Sequence, residues 1–199
     1  MKIVLTAALF FLTCSVLAQE TPPSDSKNSY NIREESKSIE DGKMTFVNLE
    51  RILIESSDAP SAPVELKASF AFITKDNKSV VWPLVTLAFT SRAAKSRFPD
   101  RPNVTFLLDG KLIKIRGVEA AERGGEIATS FAEPGVEWLD ISISTNTFIA
   151  IADAKSVEMQ VGQLRLRFQD EHMKALRELA KRMTSLQAQH NNPMNRIRN

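Results

Sequence analysis

One cysteine, two histidines, one tyrosine and seven glycines are all that 199 residues contain of those types. A single cysteine closes no disulfide within the chain, and with two histidines it falls short of a four-ligand Cys/His zinc site. The glycines are scattered, so the sequence holds no phosphate-cradling loop, dinucleotide fingerprint or nucleophile elbow. Basic and acidic residues nearly cancel, 26 against 24. The clustered positive excess expected of a nucleic-acid binder is missing. Apolar runs are short as well: past residue 18 none approaches the ~20 residues that a membrane-spanning helix needs.

The start of the chain has a different character. Lys2 supplies a positive charge, Ile3 to Leu12 an apolar stretch too short to cross a bilayer, and Val16-Leu17-Ala18 the compact residues that signal peptidase reads before its cut. The expectation is a cleaved signal peptide over residues 1–18, cut between Ala18 and Gln19, and a secreted or periplasmic protein. Cys14 is followed by Ser15-Val16-Leu17-Ala18 rather than by a polar start, so it reads as discarded with the leader and not as a lipidation site. The mature chain then has no thiol chemistry and no disulfide.

Residues 19–42 are polar, with Thr21-Pro22-Pro23-Ser24 and Arg33-Glu34-Glu35-Ser36 offering little to a core, and are expected to form a disordered leader. Residues 187–199 are Asn-rich and broken by Pro193, and are expected to form a disordered tail. Residues 43–186 remain as one globular domain. Its patterning is of period two. Val64, Leu66, Ala68, Phe70 and Phe72 alternate with Glu65, Lys67, Ser69 and Ala71, while Val85, Leu87 and Phe89 alternate with Thr86 and Ala88. Trp82-Pro83 is expected at the start of that second strand, where a missing N–H is tolerated.

Two hairpins can be read to the residue. Asp109-Gly110 favours a type I′ turn, which pairs Leu107 with Leu112, Phe106 with Ile113, Thr105 with Lys114 and Val104 with Ile115. That register sorts Val104, Phe106, Ile113 and Ile115 onto one face and Thr105 and Lys114 onto the other. Gly162-Gln163 favours a type II′ turn, pairing Val161 with Leu164, Met159 with Leu166 and Val157 with Phe168, with Glu158 opposite Arg167 outside. Ser144 or Thr145 is expected to cap a short helix burying Phe148, Ile151 and Ala152. Asp170 is expected to cap a terminal helix with Met173, Leu176, Ala180 and Met183 on its apolar stripe. The fold class is mainly β: an antiparallel β-sandwich or partly open barrel of about seven to eight strands, with one short helix and a C-terminal amphipathic helix.

Candidate chemistry is sparse. Asp170 and His172 sit near one another in sequence, but a helix-start Asp and a solvent-facing His account for them; His190 falls in the tail. Glu119, Glu122 and Glu126 surround Arg123 in a Gly-containing loop and read as solvated charges. No calcium-loop spacing occurs, and no cofactor, metal or catalytic residue is assigned. The most basic segment holds Arg92, Lys95, Arg97 and Arg101 around Phe98, a possible contact for an anionic partner such as an acidic glycan or lipid phosphate. Asn77-Lys78-Ser79 and Asn103-Val104-Thr105 match a glycosylation pattern and read as chance in a chain whose leader looks bacterial. The expected function is an exported, non-enzymatic binding or assembly module of the periplasm or cell exterior. Its partner would be a protein or an anionic glycan or lipid, not nucleic acid, and no transmembrane segment would remain after signal removal. The alternative is a carboxylate-dependent hydrolase acting on glycans, drawing on Glu119, Glu126, Glu133, Glu137 and Asp140.

Overall fold

Ten antiparallel strands and two helices are present among the described residues of a computed structural model, which covers residues 30–56, 62–76, 78–92, 96–99, 102–115, 127–133 and 135–191. The expected leader over residues 1–18 with Cys14, the expected cut between Ala18 and Gln19, and the segment carrying Glu119, Glu122, Arg123 and Glu126 lie outside the described residues, as do Asn77, Lys95 and Arg101. The strands are β1 (Ile32–Ile39), β2 (Gly42–Ile54), β3 (Val64–Lys75), β4 (Lys78–Arg92), β5 (Val104–Leu108), β6 (Lys111–Ile115), β7 (Ile127–Glu133), β8 (Val136–Ser144), β9 (Val157–Val161) and β10 (Leu164–Phe168). The helices are α1 (Thr145–Asp153) and α2 (Asp170–Asn191). A six-stranded sheet runs β1-β2-β3-β4-β8-β7 and a four-stranded sheet runs β10-β9-β5-β6. This is the sandwich-like, unclosed β architecture anticipated from the alternation, with more strands than expected.

Both hairpins form in the expected registers, from Leu108↔Lys111 to Val104↔Ile115 and from Val161↔Leu164 to Val157↔Phe168. Asp109 and Gly110 have φ of 48° and 83°, the left-handed pair that a type I′ turn requires. Helix α1 also forms as expected. Ser144 Oγ accepts from the Thr147 N–H at 3.1 Å, and Phe148, Ile151 and Ala152 are buried.

Expectations are corrected at the two ends of the domain and at Trp82-Pro83. The polar leader does not extend to Gly42, because β1 pairs with β2 along its whole length from Ile32↔Leu49 to Ile39↔Gly42. Charged residues suit this strand because it lies at the sheet edge, where charge discourages pairing with other chains. Glu34 is held from the other side by Arg182 of α2, whose Nε donates to Oε1 at 3.1 Å. Gly42 is required at the turn: with φ of 137° a Cβ would fall 2.4 Å from the Thr74 carbonyl oxygen. At the other end, α2 continues to Asn191, past the expected start of the tail.

The last of these is Trp82-Pro83. It interrupts β4 rather than starting a strand, since β4 already pairs with β3 from Lys75↔Lys78. Register passes from Phe72↔Val81 to Phe70↔Val85, so Trp82, Pro83 and Leu84 together oppose Ala71. Pro83 has no N–H to give to the ladder, and a bulge is where that lack is tolerated.

The core lies between the inner face of the six-stranded sheet and the layer formed by α1, α2 and the four-stranded sheet. Leu66, Phe89, Leu139, Ile141, Phe106, Met159 and Leu179 are all at or below 1 % exposure. Helix α2 packs chiefly on β4 and α1, burying Met173, Leu176, Ala180 and Met183 together with Ala175 and Leu179. Its Arg177 ends α1 by donating to the Ala152 and Ala154 carbonyls, each at 3.0 Å.

Candidate functional site

The four basic residues proposed to meet an anionic partner do not act alike. Arg92 is exposed at the end of β4. Arg97 is turned into the fold: Nη1 donates to the Ala62 carbonyl at 2.7 Å and to Ser91 Oγ at 3.3 Å, and Nη2 donates to Ser56 Oγ. Its backbone N–H donates to Glu137 Oε2 at 2.8 Å. Ser56, Ser91 and Glu137 are themselves buried, so Arg97 joins three segments of the fold. Phe98 beside it is 3 % exposed and tucks into the core.

His172 is not solvent-facing. It is 4 % exposed, and its Nδ1 accepts from the Gln169 N–H at 3.0 Å. The Gln169 carbonyl in turn accepts the first helical bond, from Met173 N–H at 3.0 Å. Gln169 is therefore the cap position of α2 and His172 the residue that reaches back to it, a capping box with imidazole in place of Glu or Gln. Asp170 lies inside the helix instead of capping it. Burial lowers the His172 pKa from its ordinary value, against the opposing pull of Glu171, the Leu53 carbonyl and Glu55. Spacing already pointed inward, since Leu176, Leu179 and Met183 follow at the intervals of one helical stripe.

Of the carboxylates considered for hydrolysis, Glu137 and Asp140 are described with their side chains. Glu137 is buried on the inner face. Asp140 projects from the outer face, in register with Ala88, where partial desolvation raises its carboxyl from the ordinary value. Side chains alternate along a strand, so these two cannot flank one substrate.

The outer face of the six-stranded sheet brings together residues that no sequence motif singles out. Register aligns Arg33↔Asn48, Asn48↔Ser69, Ser69↔Thr86 and Thr86↔Ser142. The result is one row of hydrogen-bonding side chains crossing β1, β2, β3, β4 and β8. On one side of it runs Glu35↔Phe46↔Ala71, with Trp82 and Leu84 of the bulge opposite Ala71. On the other runs Lys67↔Ala88↔Asp140. Phe46 is 40 % and Trp82 48 % exposed, whereas Asn48, Ser69, Thr86 and Ser142 are half-buried.

Two depressions occupy this face. One of about 600 Å³ is lined by Arg33, Glu35, Asn48, Glu50, Lys67 and Ser69 among others. The second, of about 290 Å³, is lined by Phe46, Ala71, Trp82, Leu84, Thr86 and Ser142 among others. Ser69 borders both. Small side chains make the hollow: Ser69, Ala71, Thr86, Ala88 and Ser142 stand where a plain solvated sheet carries long charged groups. The short side chains at alternate positions of β3 and β4 were the available sequence signal.

No known protein family, curated protein or solved structure shows a significant match to this chain. No helix among the described residues is long and apolar enough to cross a membrane.

Proposed function

We propose that this protein is an exported, non-enzymatic binding or assembly module of the periplasm or cell exterior, and that it engages its partner through the outer face of the six-stranded sheet. The observation carrying this reading is the hollow centred on Ser69, where half-exposed Phe46 and Trp82 stand beside a row of neutral hydrogen-bonding groups. Convergent polar groups beside exposed apolar ones are the usual make-up of a recognition site. The helices and the four-stranded sheet pack against the other face, so this surface contributes little to the core. The basic segment supports an anionic contact less well, because the Arg97 guanidinium is engaged within the fold. A carboxylate-dependent hydrolase draws no support from Glu137 and Asp140, which lie on opposite faces of β8.

Retention in the cell envelope tests the reading. Ser69→Trp fills the centre of the hollow, and Gln160→Trp places the same bulk on the exposed side of β9. The first substitution is expected to release the exported protein from its partner and the second to leave it bound. Equal behaviour of the two variants contradicts the assignment of this face.

A further inference from the structure

We infer that the ligand of this face is an uncharged oligosaccharide lying across the strands, along the Asn48–Ser69–Thr86–Ser142 row and against Trp82 and Phe46. The inference rests on the binding reading above and supplies its ligand class.

Hydrogen-bonding character comes first. Ser and Thr hydroxyls and the Asn amide each donate and accept. A ligand whose groups also do both, as sugar hydroxyls do, can satisfy such a row in more than one orientation. A carboxylate or phosphate group presents only acceptors and an ammonium group only donors, and either is better met by fixed groups of opposite charge. Here the neighbouring charges are largely answered within the protein: Arg33 pairs with Glu50, and Arg51 pairs with Glu65 at 3.1 Å. Lys67 and Asp140, flanking Ala88 in the next row, are of opposite sign. Charges of both signs line the larger depression, Glu35 included, and the smaller one, around Trp82 and Phe46, has no charged side chain among the described residues of its lining.

Shape agrees with this chemistry. A sugar ring has an apolar C–H face and a hydroxyl rim, and it meets an aromatic plane with the first and hydrogen-bonding groups with the second. Trp82 and Phe46 supply the planes on either side of Ala71, which forms the floor between them. The Asn48–Ser69–Thr86–Ser142 row crosses four strands, and strand spacing makes that about 14 Å, room for a few linked rings. A protein partner is the weaker fit. Its apolar anchors would cover the central hydroxyls, and buried polar groups left without partners oppose binding.

Isothermal titration of the exported protein with a panel of neutral tetrasaccharides tests the inference. The panel comprises β-linked glucose, α-linked glucose, β-linked N-acetylglucosamine and α-linked mannose, with an oligogalacturonate as the anionic comparison. At least one neutral member is expected to bind in preference to the anionic one. Trp82→Ala and Ala71→Leu are each expected to weaken that binding by at least about tenfold, or 1.4 kcal/mol. The second variant removes no group and only fills the floor, so it guards against a folding defect in the first; circular dichroism checks both. Absence of binding by every neutral member, preference for the oligogalacturonate, or indifference to both substitutions overturns the inference. If no neutral saccharide binds while Trp82→Ala still releases the protein from the envelope, the saccharide assignment fails and the binding face stands. If neither titration nor retention responds, both fail.

Discussion

The backbone N–H of Arg97 donates to the buried carboxylate of Glu137 at 2.8 Å, while the Arg97 side chain reaches the Ala62 carbonyl, Ser91 and Ser56. One residue of a short segment thereby ties together the end of β4, the start of β8 and the chain beyond β2. Removing its guanidinium takes a charged donor from the Ala62 carbonyl and from the buried Ser56 and Ser91 hydroxyls, while the backbone bond to Glu137 remains. Arg97→Ala is expected to lower unfolding free energy by about 2–4 kcal/mol, measured by urea titration. Arg92→Ala, at an exposed position, is expected to change it by less than about 0.5 kcal/mol. Comparable effects would mean that Arg97 is an ordinary surface cation.

His172 makes stability depend on mildly acidic pH. Its folded-state pKa is lowered, chiefly by burial, so the folded protein disfavours the protonated ring more than the unfolded chain does. The contribution is complete above the unfolded value of about 6.5 and is lost as pH falls from there toward the folded pKa. Protonation also removes the Nδ1 acceptor from the Gln169 N–H. His172→Gln retains an acceptor at the same helix position and is expected to flatten the change in unfolding free energy between neutral pH and about pH 5. His172→Ala loses the cap at all pH values, at a cost of about 1 kcal/mol. An unchanged slope in His172→Gln would assign the pH effect to another group.

Asp109 performs a second task beside its turn. Its carboxylate accepts from the backbone N–H groups of Ser156 at 2.8 Å and Lys155 at 3.0 Å, fixing the start of β9 to the β5–β6 turn. Those bonds, Ser156 first, lower its pKa. The stabilisation is present above the ordinary value near 3.8 and is lost as pH falls through the lower, folded value. Asp109→Asn keeps the tolerance for left-handed φ and is expected to melt below the parent but above Asp109→Ala. The gap between parent and Asp109→Asn should narrow at pH below about 3. Thermal melts at neutral and acid pH measure both effects, and a constant gap contradicts the assigned role.

The proposed export predicts a defined mature terminus. The N-terminal peptide of protein recovered from outside the cytoplasm is expected to begin at Gln19. Recovery of a peptide containing Cys14, lipidated or not, contradicts the proposed cut.

Local chemistry was legible in the sequence where it was self-contained. The two tight hairpins carry their register in Asp109-Gly110 and Gly162-Gln163, and α1 carries its cap in Ser144. Strand order was not legible, because β4 meets β8 through Leu84↔Ser144 to Arg92↔Val136, across the whole intervening second sheet hairpin. The candidate site depends on that order: Thr86 and Ser142 become neighbours only when β4 and β8 pair. Strand β1 was hidden for a related reason. Its charges argue against a core strand, and what holds it is an edge position plus Arg182 of a helix distant in sequence. The inward turn of Arg97 was equally invisible, since its acceptors Ala62, Ser56 and Ser91 converge only in the folded chain.

The measurement that bears most directly on the account is photo-crosslinking in the host, with a diazirine side chain placed at position 69 or at position 160. The account predicts a partner adduct from position 69, at the centre of the hollow, and little or none from position 160 on the exposed side of β9. Adducts confined to position 160, or none from position 69 while the protein stays associated with the proposed partner, would contradict binding through the outer face of the six-stranded sheet.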